Sequence, residues 1–208
     1  MIKVLKGIKK PLLITVAMLL ICGLAYPLLL TGISQLFFPH QANGSLITVN
    51  GHALGSELVG QDFTDSRFMK SRPSAVNYNT YTQEEKSDGA YAGIGSGSKN
   101  YAATNPELAK RVEADIAEFL AANPSISKED IPTDLLTASG SGLDPHISPE
   151  SASVQIPALV DSTGLSQETL ESIVQKHTQS KLFGIFGEET VNVLAVNLDI
   201  AKELGLIK

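Results

Sequence analysis

Between Pro11 and Phe38 the chain carries no Asp, Glu, Lys, Arg or His. These 28 residues exceed the roughly 20 apolar residues that carry a helix across a bilayer, so whatever else the chain forms is tethered to a membrane. Lys3, Lys6, Lys9 and Lys10 stand before the stretch, and the next Lys or Arg after it is Arg67. The positive-inside rule then keeps the N-terminus in the cytoplasm and sends the remainder across. The expected organisation is a basic cytoplasmic N-terminus at 1–10, a transmembrane helix at 11–38 and an extracytoplasmic domain at 39–208. A cleaved signal peptide would have a shorter apolar region and a small-residue cleavage site behind it; this stretch is too long and no such site comes after it. A lipoprotein signal is equally poor, because bulky Ile21 precedes Cys22. Pro27 predicts a kink, and Gly23 and Gly32 are too far apart for close glycine-mediated helix packing.

All 22 acidic residues but only 12 of the 16 basic ones lie after the apolar stretch, which leaves the domain a formal charge of −10. So acidic a domain is a poor partner for nucleic acid or anionic lipid. The single cysteine, Cys22, lies inside the apolar stretch, which excludes disulfides, thiol catalysis and cysteine-bound metal from the domain.

Asn43-Gly44 and Asn50-Gly51 bracket Leu46–Val49 and predict a strand with a hairpin turn. Residues 64–104, rich in Ser, Gly, Asn, Thr and Tyr, lack periodicity and predict a long functional loop. Asn105-Pro106-Glu107 is a helix start, with Leu108, Val112, Ile116, Phe119 and Leu120 on one face and Asn123-Pro124 at the end. Ser148-Pro149-Glu150 repeats the start signal, and Pro157 breaks or kinks the helix begun there. Ser166 caps a helix with Leu170, Ile173 and Val174 inward. Val191–Leu198 predicts a buried strand, succeeded by a short last helix capped by Asp199 and running to Gly205. The fold class is α+β: one N-terminal transmembrane helix, then one small mixed domain.

Chemistry-bearing residues are densest in Asp134–Pro157. Ser139, Ser141, Asp144, His146 and Ser148 lie within ten residues, yet no G-x-S-x-G elbow is present, and Asp144 and His146 flank Pro145 too closely for a relay. A glycine-rich turn whose side chains satisfy nearby backbone groups is the alternative reading. Gly93, Gly95, Gly97 and Ser98 precede a helix, but neither phosphate-binding fingerprint is present. His40, His52, His146 and His177 are scattered without metal-ligand spacing. Arg67, Lys70 and Arg72 form the only basic cluster of the domain, and pairing with its own carboxylates is the expected use.

Gly60-Gln61-Asp62-Phe63, Arg72-Pro73-Ser74-Ala75, Ser96-Gly97-Ser98 with Asn105-Pro106, the block TASGSGLDPHISPESASVQIP over Thr137–Pro157, Gly187-Glu188, and Val191–Leu194 running to Asn197-Leu198 carry a resemblance. With the N-terminal helix they cover essentially the whole chain, which resembles the KdpC family, the small subunits of KdpFABC potassium-transporting P-type ATPases. The resemblance implies a non-catalytic subunit of a high-affinity, ATP-driven potassium uptake system, bound to the channel-like KdpA, the pump KdpB, the KdpF peptide and the bilayer. It also implies a catalytic-chaperone role that raises the ATP affinity of KdpB. No tightly bound cofactor and no metal is implied; ATP acts at the level of the complex and potassium is the transported ion.

The interface candidates are Arg72, Ser74, Ser98, Asn105, Ser139, Ser141, Asp144, His146, Ser148 and Gln155. The alternative is direct nucleotide binding by a cytoplasmic domain in a KdpB–KdpC–ATP ternary complex, through Ser166 and Gln167 of the run Leu165–Thr169. There Thr169 stands where the family's signature-like stretch has glutamine. A free-standing hydrolase built on Ser141 and His146 is the third reading.

Overall fold

The expected irregularity at Pro27 takes a specific form. In the computed structural model, which describes residues 2–88 and 94–207 with side chains from residue 7 onward, α1 (Ile2–Leu20) passes through a π-helical turn at Ile21–Ala25 into α2 (Tyr26–Phe37). Tyr26 N–H bonds Ile21 O, one residue further back than an α-helix would reach. The wider turn makes room for the proline ring, which would otherwise press on the carbonyl one turn back. Leu20 and Tyr26 on either side keep right-handed helical angles, so the helix continues through the proline. Gly7–Phe37 is long and apolar enough to cross a membrane, and none of its most apolar window is buried. The four-residue α3 (Pro39–Ala42) comes next.

The chain divides into two compact units, one ending at Leu46 and one starting at Ile47. The expected hairpin is present, β1 (Leu46–Val49) against β2 (His52–Ser56). Its turn residues Asn50 and Gly51 have φ of 52° and 80°, the paired positive angles that match the twist of the flanking strands. Among the described residues, irregular chain then runs to Asn105, interrupted by a 3-10 turn at Asn77–Asn79 and by α4 (Gln83–Ser87). Sequence pattern did not reveal α4, although Thr82 and Glu85 form a reciprocal capping box. Gly93 lies outside the described residues.

Proline and cap chemistry set most later boundaries. Asn105 Oδ1 accepts from Glu107 N–H at 2.9 Å and opens α5 (Pro106–Ala122). Its expected inner face is only half-buried, so α5 lies at the edge of the unit. Two 3-10 turns, Lys128–Asp130 and Thr133–Leu135, lead to β3 (His146–Ile147). Ser148 caps α6 (Pro149–Ser153), Pro157 sits in the first turn of α7 (Ile156–Thr163), and Ser166 caps α8 (Gln167–Lys176). β4 (Thr178–Gln179) and β5 (Thr190–Asn192) complete a three-stranded antiparallel sheet with β5 in the middle. His146 and Ile147 pair with Asn192 and Val191, while Thr178 and Gln179 pair with Val191 and Thr190.

The expected strand over Val191–Leu198 is corrected. The chain is extended only to Asn192, and α9 runs from Val193 to Glu203. Asn192 Oδ1 accepts from Ala195 N–H at 3.0 Å and starts the helix. Val193, Val196, Asn197, Ile200 and Ala201 are buried, a three-and-four spacing hidden in a nearly continuous apolar run. Such a run reads alike for a buried strand and a buried helix. Asp199 is therefore a mid-helix residue, not a cap. The helix ends where expected, with Gly205 at φ 68° and Leu206 N–H on Ala201 O at 2.9 Å, the left-handed closure that suits glycine.

The core joins Ile147, Ala152, Ile156, Leu159, Leu170, Ile173, Val191, Val193, Val196 and Ile200 to one residue from the irregular chain, the fully buried Met69. α7 and α8 pack on each other and α9 packs on α8 and β5, so one apolar helix-and-sheet layer carries the loops.

Candidate functional site

Residues 60–79 lack a ladder partner for most of their backbone, and buried amide side chains take that role. Asn197 Oδ1 accepts from Met69 N–H at 2.7 Å while its Nδ2 donates to Met69 O at 2.9 Å. Gln155 does the same for the next residue, accepting from Lys70 N–H at 2.8 Å and donating to Lys70 O at 3.3 Å. Each amide turns a donor and an acceptor on the two backbone groups of one residue, as a neighbouring strand would. Asn192, already capping α9, donates its Nδ2 to Glu57 O at 2.8 Å. Three amides from α7, β5 and α9, or the residues capping them, thus fix the start of the irregular segment on the helical core.

Onward from this anchor three loops close on one another. Arg72 meets Asp144 Oδ2 at 3.4 Å and donates to Thr137 O at 3.3 and 3.4 Å. Ser74 Oγ donates to Gly142 O at 2.6 Å and accepts from Val76 and Tyr78 N–H. Tyr78 donates its hydroxyl to Arg72 O at 2.5 Å, and its burial raises the phenol to about 12. Gly142 N–H donates to Ser96 O, Gly60 N–H to Leu143 O, and Asn79 clasps both backbone groups of Gly95. The glycines are needed for proximity. A Cβ on Gly60 would lie 2.4 Å from Asp144 O, and one on Gly142 would lie 2.6 Å from Val76 Cγ2. Between the loops and α5 lies a cavity of about 360 Å³ lined by Ser74, Ser98, Tyr101, Leu108, Arg111 and Thr137, among others.

Of the sequence candidates, Arg72, Ser74, Ser98 and Asp144 belong to this assembly. Ser139 and Ser141 lie in its third loop and turn their hydroxyls to local backbone: Ser139 Oγ accepts from Ser141 N–H at 3.5 Å and Ser141 Oγ from Leu143 N–H at 3.2 Å. Asn105 caps α5. Gln155 is a buried pin, not a surface group. Ser148 belongs to a separate node in which Asp134 accepts from Ser148 N–H at 2.7 Å, Ser148 Oγ at 3.1 Å and Ser151 Oγ at 2.5 Å. Burial pushes the Asp134 carboxyl up, but these hydrogen bonds outweigh it and hold the carboxyl below its ordinary value. The His146 ring is 3.8 Å from Asp144, and the His146 backbone N–H donates to that carboxylate at 3.0 Å. No hydrogen bond joins Ser141 to His146 among the described residues. Ser166 and Gln167 lie apart from this group, with Ser166 capping α8 and Gln167 donating to Glu171 at 2.7 Å.

Arg111, which reaches Asp115 one helical turn on at 2.7 Å and Leu136 O at 3.1 Å, was missed because its contact with the loops, at Leu136, lies 25 residues along the chain. The tight turn at Leu182–Phe186 was missed as well. It holds four large apolar side chains in the open, and its signal was an apolar cluster with neither a helical nor a strand period.

Residues 8–202 match the family KdpC, described as "K+-transporting ATPase, c chain". A "Potassium-transporting ATPase KdpC subunit" of Clostridium kluyveri is 76% identical over 201 residues, covering 97% of this chain and 96% of that one. A protein of the same description from Clostridioides difficile is 58% identical over 208 residues, covering 98% of this chain and all of its own. A third, from Caldanaerobacter subterraneus, is 42% identical over 197 residues, covering 95% of each.

Proposed function

The chain belongs to the KdpC family, the c chains of K+-transporting ATPases, and on that premise we propose that it is the non-catalytic, membrane-anchored subunit that assembles and stabilises such a pump. The observation that carries this reading is the family match over residues 8–202, which includes both the candidate membrane helix and the domain. The four lysines before the helix support a cytoplasmic N-terminus and a domain on the outer side.

In this reading the helix packs among the membrane-embedded subunits KdpA, KdpB and KdpF, and the loops around the cavity at Ser74, Ser98 and Thr137 dock on the outer face of KdpA. Loops positioned by a rigid scaffold are the usual carriers of such contacts. Here the internal clasps leave little conformational freedom to lose on docking, which lowers the cost of association. Potassium is the transported ion of the complex, and ATP is bound by KdpB. A domain outside the membrane raises the ATP affinity of KdpB only by coupling: it binds one pump conformation better than another, and linkage transmits the difference. The hydroxyl of Ser166 and the amide of Gln167 are engaged in capping and in pairing with Glu171, so they lend no support to a nucleotide site on this chain.

Two measurements test the reading. A chain lacking residues 1–38 is expected to be lost from the purified ATPase, with potassium-stimulated ATP hydrolysis falling with it; an intact, fully active pump overturns the subunit role. A Ser172→Cys chain in a Cys22→Ala background is expected to react with a membrane-impermeant maleimide in intact cells. Reaction only in inverted vesicles overturns the orientation.

A further inference from the structure

The turn between β4 and β5 departs from the rule that an ordered loop hides its large apolar groups. Leu182, Phe183, Ile185 and Phe186 are 63%, 83%, 75% and 64% exposed, and no charged residue stands among them. Together they offer on the order of 500 Å² of apolar surface, at the upper end of the largest patch that a soluble monomer usually leaves open. The tip is a built feature: Leu182 and Phe186 exchange backbone hydrogen bonds at 2.8 and 3.0 Å, and Gly184 N–H closes the turn on Lys181 O at 2.9 Å. Phe183 sits at φ 54°, a left-handed conformation that bulky residues rarely adopt. A bulky apolar residue held that way, with its ring turned from its own core, gains nothing within its own domain.

Charge indicates what the tip meets. Lys181 is bound to Glu188 at 3.0 Å, and Glu189 stands exposed beside it, so the rim is acidic, as is the domain. An anionic lipid surface would repel that rim, whereas a protein socket of apolar floor and basic edge would match both parts. We propose that Leu182–Phe186 is a plug that seats in an apolar, basic-rimmed socket on another subunit of the ATPase. This rests on the subunit role and adds a second contact to it, separate in sequence from the loops around the cavity. Phe183 and Phe186 act as the anchors, since buried aromatics at an interface centre carry most of its energy.

The test uses the full chain in native membranes that hold the whole ATPase. Phe183→Cys in a Cys22→Ala background is coupled to a benzophenone and irradiated, and the adduct is identified by mass spectrometry. A covalent link to another ATPase subunit is expected. In parallel, Phe183→Ser with Phe186→Ser is expected to weaken retention of the chain in the detergent-extracted complex at least about tenfold, with an unchanged circular dichroism spectrum. An adduct with lipid alone, with a second copy of this chain, or with nothing overturns the plug, as does full retention of the double variant. If the unsubstituted chain co-purifies in those cases, the subunit role stands and only the plug falls. If the unsubstituted chain itself fails to co-purify, the subunit role falls and takes the plug with it.

Discussion

Residues 60–79 and residues 182–187 are both irregular chain, and they are ordered by opposite means. The first segment turns its backbone inward, onto the amides of Asn197 and Gln155 and the carbonyls of the Gly142 loop, and sends Met69 into the core. The second orders itself through its own turn bonds and turns its apolar groups outward. A loop of the first kind is inseparable from the stability of the domain. A loop of the second kind is nearly independent of it and is free to serve a partner. The difference is measurable as the cost of mutation at each place.

The largest cost falls at the amide that holds the first loop. Asn197→Leu keeps the number and branching of side-chain heavy atoms but strands both backbone groups of Met69, which is fully buried. With a penalty of about 1–3 kcal/mol for each unsatisfied buried group, the urea unfolding free energy of the chain in detergent is expected to fall by about 4 kcal/mol. A loss below about 1 kcal/mol would show that the loop does not depend on its pin and would erase the contrast. Next is Gly60→Ala. The added methyl would meet backbone, Asp144 O at 2.4 Å, and not a flexible chain end, so the loops must part; overpacking of this kind costs about 1–3 kcal/mol.

These positions also mark how far the sequence could be read. Caps and prolines were legible because their chemistry is local: Asn105, Ser148 and Ser166 each bond an N–H two or three residues on, and Asn50-Gly51 carries its turn in its own dihedral angles. Val193–Leu198 was misread because full burial removes the polar face that distinguishes a helix from a strand. The pins were illegible for another reason. Asn197 and Met69 are 128 residues apart, and nothing in either neighbourhood announces the other. Of the candidate residues, the block around Asp144 was found because it is compact in sequence, while Arg111 reaches the same loops through the fold. The tip at Leu182–Phe186 was overlooked because exposed apolar clusters resemble core segments until the structure is known.

Acid separates the core from the tip in another way. Asp199 is nearly buried on α9 and accepts hydrogen bonds from Lys176 at 2.6 Å, His177 at 2.8 Å and Lys202 at 3.0 Å. Burial raises its carboxyl, and these three hydrogen bonds, two of them from lysines, outweigh that and hold it well below the usual range. A carboxylate depressed in the folded state contributes stability that is present above its unfolded value, about 4, and is lost as pH falls through the folded one. Stability of the wild-type chain should therefore decline below about pH 4. Asp199→Asn should cost about 2 kcal/mol at pH 7 and flatten part of that acid limb. Among the described residues the tip has no such pairing beyond the exposed Lys181–Glu188 contact, so its local order should survive the same titration; hydrogen exchange at Phe186 N–H across pH 3–7, corrected for intrinsic rates, compares the two directly.

The smallest expected effect is at the tip itself. Replacing a core phenylalanine by a residue without a side chain costs about 3–5 kcal/mol. Phe183 is exposed and in the left-handed region, where glycine avoids a steric penalty of about 1–2 kcal/mol. Glycine also makes the unfolded chain more flexible, which returns about 1 kcal/mol of that gain. Phe183→Gly should thus leave the unfolding free energy within about 0.5 kcal/mol of wild type, or slightly above it, in the same urea experiment in which Asn197→Leu loses several. A loss of about 2 kcal/mol or more would mean that the ring packs on its own domain in solution, and the outward-facing half of the comparison would be gone. A neutral result separates folding from association at this residue, because any loss of the chain from the assembled ATPase on substituting Phe183 is then a loss of contact with a partner.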